Sequence, residues 1–182
     1  MAPIFKTPLG YARIKEILRD LKIEPHDHQL EGIAASLDRE DVIATMATGS
    51  GKTGFYTFLM LVILAISRDP ALALGGIHLP ANPAMLVVVP TRALQEDMKR
   101  AMSEFGLDAA VLNKDSLAAN WNLWNECQEM HTVLLISPEL LTSLDFTKKL
   151  LDVPPFRKRL CRFCREGRHL GADNGGRWKR QR

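Results

Sequence analysis

Apolar residues in "TPLGYARIKEILRDLKI", residues 7–23, recur at helical spacing, with Ile14, Ile17, Leu18 and Leu21 on one face. Thr7 stands where a capping hydroxyl belongs, and Pro8 suits the first helical position. Pro25 interrupts, and a second helix is predicted to start at Asp27 with Leu30, Ile33, Ala34 and Leu37 inward. The β-branched run "DVIATM", residues 41–46, ends where glycines begin and predicts a buried strand. A helix should then run from Lys52 to about Ser67. Residues 68–83 carry Pro70, Gly75, Gly76, Pro80 and Pro83 and predict a loop.

The alternation continues with a second buried strand in "AMLVVVP" (84–90) and a helix in "TRALQEDMKRAMSEFG" (91–106). That helix turns Leu94, Met98, Met102 and Phe105 inward and stops at Gly106. A weaker strand follows in "LDAAVLN" (107–113), then a helix capped by Asp115 and running to residue 130. "HTVLLISP" (131–138) is a fourth strand, and residues 139–151 make a short helix or two. Strands alternating with helices predict an α/β fold, its sheet mostly parallel with helices on both faces. Ligands then sit at the carboxyl ends of the strands. The glycines before Lys52, Pro90-Thr91-Arg92 and Ser137-Pro138-Glu139 all fall there.

After Val153 the pattern changes: apolar periodicity fades and no strand is predicted. Charge changes as well. Residues 1–155 hold 14 Lys and Arg against 19 Asp and Glu, a net of −5. Residues 156–182 hold 10 against 2, a net of +8. Such a tail either binds nucleic acid or is a solvated, disordered end. The whole chain, 182 residues with 46% hydrophobic and 25% charged content, suits one ordinary soluble domain or slightly more. Three cysteines give no disulfide framework and fit a reducing compartment. The N-terminus has no basic-then-apolar leader, so an intracellular protein is expected, nuclear if eukaryotic and otherwise cytoplasmic. The longest apolar run, residues 54–66, is 13 residues and too short to span a bilayer.

The chemistry concentrates in "MATGSGKT", residues 46–53. Thr48, Gly49, Ser50 and Gly51 make a loop whose backbone N–H groups can approach phosphate oxygens. Lys52 adds charge at the β/γ-phosphates, and the Thr53 hydroxyl is placed to ligate Mg²⁺. The alternative is a Gly-Ser turn that happens to precede Lys-Thr, but a strand before and a helix after favour nucleotide phosphate, hence ATP with Mg²⁺ as cofactors. The strict pattern wants glycine five residues before Gly51, where Met46 stands.

With Met46 in that place the stretch resembles the first motif of superfamily 2 DEAD/DEAH-box helicases, most closely the RecQ-like branch. Gln29 lies 23 residues before Lys52, the spacing at which RecQ-like helicases place the glutamine that reads adenine; the alternative is a surface helix residue. Pro25 and His26 stand where that family has an aromatic and an arginine. "VVVPTRALQEDM" resembles motif Ia, implying that Thr91 and Arg92 touch a nucleic-acid backbone, against a plain helix cap with a solvent arginine. "LLISPELL" resembles the turn of motif Ib, although Ser137 and Glu139 can equally do no more than cap a helix.

The resemblance implies a RecA-like P-loop NTPase domain over residues 1–155, acting with ATP, Mg²⁺ and nucleic acid, DNA favoured over RNA. It also demands an acidic pair, Asp-Glu-x-His or Asp-Glu-x-Asp, at the end of the next strand. The chain reads "RFCREGRHL" instead. Glu166 and His169 echo the letters without a preceding aspartate, so no catalytic residue is assigned. The expectation is therefore an incomplete ATP-binding domain without the second RecA-like domain, followed by a basic tail at 156–182 that is disordered or aberrant. Such a chain either keeps the family's helicase activity or binds ATP and nucleic acid without turnover; a P-loop kinase for a small substrate is the weaker third reading. Cys161, Cys164 and His169 offer three ligands where a structural zinc takes four, so no metal site is assigned there. Trp121 and Trp124 are expected to be packing residues rather than a stacking platform.

Overall fold

The structure, a computed structural model, describes residues 3–45, 51–165 and 177–179. Its packing divides the chain into two units, one holding residues 1–78 with 168–182 and the other residues 79–167.

The first unit is built on three helices, α1 (Pro8–Asp20), α2 (Asp27–Leu37) and α3 (Lys52–Arg68), each packed against the other two. Thr7 caps α1 by accepting from the Gly10 amide at 3.1 Å, with Pro8 at the first position, as the sequence predicts. Ile14, Ile17 and Leu18 are buried and meet the predicted face of α2, whereas Leu21 lies just past the end of α1 and is exposed. Gly10 lets the chain start fold back closely, since a Cβ there would stand 2.3 Å from the Phe5 Cα. The Asp38 carboxylate fixes that start by accepting from the amides of Ile4, Phe5 and Lys6 at 2.8, 2.8 and 2.9 Å. The predicted strand before the glycines forms as β1 (Ile43–Thr45), and it pairs antiparallel with β6 (Arg177–Lys179) in a two-stranded sheet.

In the second unit the remaining strands make one parallel sheet. They are β2 (Ala84–Val88), β3 (Ala109–Leu112), β4 (Val133–Ile136) and β5 (Leu160–Arg165), in the order β3-β4-β2-β5. The step from β2 to β3 runs in one direction across the sheet, and the steps to β4 and β5 run in the other. Right-handed crossovers therefore put α4 (Arg92–Glu104) on one face and the later helices on the opposite face. Ala84, Leu86, Val88, Leu112, Leu134 and Ile136 pack with Cys127, Phe146, Leu150 and Phe156 of that later layer. Buried Met98 and Met102 line the inner side of α4, Gly106 ends it at φ +74°, and Phe105 is exposed rather than inward because it lies in the terminating turn. Strands covered on both faces explain the near-continuous apolar runs of the sequence.

Three predictions need correction. The helix expected over residues 116–130 is two, α5 (Lys114–Ala119) and α6 (Leu123–Glu129), because Asn120 leaves the helix and its Oδ1 accepts from the Asn122 amide at 3.0 Å. Asn113, not Asp115, caps α5, accepting from the amides of Asp115 and Ser116 at 3.0 Å each. The stretch after Val153 is not strandless. α9 (Pro154–Arg159) buries Phe156, and β5 adds to the sheet beside β2. Arg162 and Arg165 mask its apolar pattern, and charge of that kind belongs on an edge strand. Between β4 and α9 run α7 (Pro138–Leu141), α8 (Leu144–Phe146) and a π-type turn at Thr147–Leu151. No helix among the described residues is long and apolar enough to cross a membrane.

Candidate functional site

In the first unit the predicted phosphate loop closes on Gly51, which stands at φ +83° as the N-cap of the 17-residue α3. Only glycine takes that conformation without strain, and it turns the chain so that the helix begins directly at Lys52. Lys52 and Thr53 then occupy the first turn, both half-buried, at the positive end of the helix macrodipole. Lower down, the Thr57 hydroxyl donates to the Thr53 carbonyl at 2.8 Å and fixes that turn. Thr48, Gly49 and Ser50, with Met46, lie outside the described residues.

Gln29 is brought to this place. It is 3% exposed, so it is no surface helix residue. Its Oε1 accepts from the His26 amide at 2.9 Å, and its Nε2 donates to the Gly51 carbonyl at 2.9 Å. A single amide thus ties the start of α2 to the last residue of the loop. The fit is close: a Cβ on Gly51 would stand 2.8 Å from Nε2, and one on Gly54 3.0 Å. His26, in the place where the resemblance expects arginine, is exposed and stacks on His28 with ring centroids 5.4 Å apart.

In the second unit the turns after β2, β3 and β4 leave one sheet edge, since all three strands are parallel. Each turn ends in a helix cap. Thr91 Oγ1 accepts from the Leu94 amide at 3.4 Å, Asn113 Oδ1 caps α5, and Ser137 Oγ accepts from the Leu140 amide at 3.3 Å. Pro90-Thr91-Arg92 and Ser137-Pro138-Glu139 therefore do share one edge, as the sequence predicts. The strand that precedes the glycine loop, β1, belongs to the other sheet.

Two residues that sequence reasoning passed over organise the edge. Gln95 and Asn113 are buried polar side chains. Gln95 Nε2 donates to the Val89 carbonyl at 3.3 Å, and Asn113 Nδ2 donates to Gln95 Oε1 at 2.8 Å. The end of β2, the first turn of α4 and the start of α5 are thereby one hydrogen-bonded piece. Asparagine between a strand and a helical run is a capping signal that could have located Asn113; nothing in the local pattern marks Gln95. On the surface of this piece Arg92 pairs through Nη1 with the Asp115 carboxylate. Glu139 is exposed, and its carboxyl is held below the usual range by its own backbone N–H, then by the Ser137 hydroxyl.

Cys161 and Cys164 are free thiols on β5. Burial pushes Cys161 up to about 11 and Cys164 up to about 12, so both remain protonated thiols at neutral pH. Cys161 spends its proton on the Ala84 carbonyl, Sγ to O 3.2 Å. Among the described residues no three His, Cys, Asp or Glu side chains gather in a metal-binding group; Glu166 and His169 lie outside them. Trp124 packs against the core with Lys149 Nζ 5.6 Å from its ring centroid, as expected. Trp121 is not a packing residue: it is 86% exposed, lifted out by the break between α5 and α6.

A family model described as DEAD/DEAH box helicase matches residues 26–155. Among curated proteins the chain is similar to the pre-mRNA-splicing ATP-dependent RNA helicase prp28 of Schizosaccharomyces pombe, 37% identical over 82 residues, which are 45% of this chain and 12% of that protein. It is also similar to the ATP-dependent RNA helicase DBP2 of Eremothecium gossypii, 31% identical over 100 residues, 55% of this chain and 17% of that protein. DEAD-box ATP-dependent RNA helicase 39 of Arabidopsis thaliana is 38% identical over 84 residues, 46% of this chain and 13% of that protein. The matched stretches span 12% to 17% of the length of these relatives.

Proposed function

The chain belongs to the DEAD/DEAH box helicase family, and from that premise we propose that it binds ATP with Mg²⁺ and a single nucleic-acid strand, without turning the nucleotide over by its own residues. In this reading Thr48, Gly49, Ser50 and Gly51 cradle the phosphates by their backbone amides, Lys52 supplies positive charge, and Thr53 ligates Mg²⁺. Gln29 reads the adenine edge while bracing the loop. Thr91 and Arg92 hold the strand by its phosphates. Residues 1–155 are the ATP-binding domain, and the basic segment 156–182 that follows contributes β5 to the sheet.

The observation that carries the reading is the Gln29 bond to the Gly51 carbonyl, which joins the base-reading candidate to the end of the phosphate loop. Turnover is set apart because it needs an acidic pair to hold Mg²⁺ through water and to orient the attacking water. No Asp-Glu dipeptide occurs anywhere in the 182 residues. RNA is the first choice of strand, because the relatives named above are RNA helicases. DNA is the second, supported by the RecQ-like spelling of residues 46–53 and the 23-residue spacing to Gln29.

A fluorescent ATP analogue should bind the wild-type chain, and Lys52→Ala should weaken it about 30-fold or more, the loss of a charge-assisted contact. Competition of oligouridine against oligothymidine for the strand site separates the two strand choices. Strand-stimulated ATP hydrolysis that Lys52→Ala abolishes would sink the binding-only reading.

A further inference from the structure

We infer that Asp115 is a counter-ion that competes with strand phosphates for Arg92, and so sets the affinity and salt dependence with which this edge holds a nucleic acid. The inference rests on the reading of Arg92 given above and goes beyond it by assigning a role to a residue outside the family motifs.

Arg92 opens α4 and Asp115 lies in the first turn of α5, two helices that start from different strands. Their side chains are 64% and 62% exposed, so the pair contributes little to folding. Beyond the modest gain of an acid in a first turn, the Asp115 carboxylate does not cap the helix start. The group capped by Asn113 Oδ1 is the Asp115 backbone amide, at 3.0 Å, which any side chain would leave in place. Chance contact between two surface side chains is also a poor description. Both helix starts are fixed to one another below the surface by the Asn113–Gln95 bond at 2.8 Å and the Gln95 bond to Val89. The fold thus presents a carboxylate to this guanidinium on a rigid base, and takes up Nη1 of the fork.

Carboxylate and phosphate are rival acceptors for the same planar donor set. While Asp115 is paired, the edge shows a passing strand one fewer net positive charge. A strand must displace the carboxylate from Nη1, or accept only the remaining donors. Either way Asp115 opposes binding, and its influence passes through Arg92.

The test is a double-mutant cycle on the full chain, read by fluorescence anisotropy of labelled oligouridine and oligothymidine over a range of salt. Asp115→Asn, which keeps size and removes charge, should tighten binding about 3- to 10-fold near 0.1 M salt. It should also steepen the dependence of log affinity on log salt by about one. In an Arg92→Ala background the same change should alter affinity less than about twofold. Asp115→Ser repeats the measurement if the amide disturbs folding, which thermal unfolding reports. Weaker or unchanged binding by Asp115→Asn, or equal tightening in both backgrounds, overturns the inference alone. Wild-type protein that binds neither strand, or Arg92→Ala that binds as tightly as wild type, overturns the reading of Arg92 and this inference with it.

Discussion

At the start of α3 one buried amide and one left-handed glycine position the first helical turn, whereas at the ends of β2 and β3 two helix starts hang from a chain of buried side-chain hydrogen bonds. The two regions serve similar ends, since each aims the open N-terminus of a helix at a place where an anion is proposed to sit. They differ in what fixes the helix. The nucleotide region relies on the backbone conformation at Gly51, braced by the one buried side chain of Gln29. The strand region uses polar side chains taken out of water, where each bond matters more and each orphaned partner is costly. If the contrast is real, truncating a polar side chain should disturb the strand region more than the nucleotide region.

The largest effect is expected at Arg159, the clearest buried cation of the second unit, at the amino ends of its strands. It is 8% exposed and donates to the carbonyls of Asn82, Cys127 and His131 at 2.9, 3.3 and 2.8 Å. Burial lowers its pKa, so the site holds the charge by carbonyl dipoles. Arg159→Met should lose about 3 kcal/mol of stability in urea unfolding, because three buried acceptors are stranded. Arg159→Lys should recover less than half of the loss, having no fork. An unfolding midpoint unmoved by Met would show that buried polar side chains count for little in the second unit, and the contrast would lose its footing. Next comes Asn113→Ala, which removes the α5 cap and strands Gln95 Oε1. A loss of about 2 kcal/mol is expected. Strand affinity should fall with it, since the mount of Arg92 is loosened.

The same contrast explains what could be seen in the sequence. Glycines, Lys52 and Thr53 announce a phosphate loop because the chemistry dictates residue types at fixed spacing, and the parallel strands show as runs of Val, Leu and Ile. Gln29 was legible through its spacing to Lys52, although its burial was not. Arg159 and β5 were hidden for one reason: arginine reads as solvent-facing unless its partners are known, and these lie 28 to 77 residues away in the chain. Gln95 was hidden likewise, because a glutamine on an amphipathic helix carries no mark of being buried. The break at Asn120 was missed since helical periodicity continues across it while the asparagine side chain bonds its own turn. Trp121 was misjudged with it, for its exposure follows from that break.

In the nucleotide region, Gly51→Ala should sharpen the other side of the comparison. The added Cβ meets Gln29 Nε2 at 2.8 Å and the φ of +83° becomes strained, so about 1 to 2 kcal/mol is expected. ATP affinity should fall much further than stability, because the loop closes on this residue. Calorimetric binding beside thermal unfolding measures the two together, and equal losses in both would mean that the glycine serves the fold rather than the nucleotide.

The smallest effect belongs to Glu139, where the strand edge binds its own carboxylate. Its folded pKa lies below the usual range, first through its own backbone N–H and then through the Ser137 hydroxyl, with Lys114 adding to both against a desolvation that opposes them. A carboxyl depressed in the folded state contributes stability above its unfolded pKa and loses it as pH falls through the folded value. The window is therefore acidic, and neutral conditions leave the contribution intact. Because the group is fully exposed, the consequence is best read at the carboxyl itself, by carbon NMR titration. Ser137→Ala should move the Glu139 midpoint part of the way back up and leave the remainder, held by the backbone, in place. A midpoint that does not move would mean that the Ser137 hydroxyl serves α7 alone. The strand edge would then owe its fixed geometry to the buried bonds of Gln95 and Asn113, with no part for its surface caps.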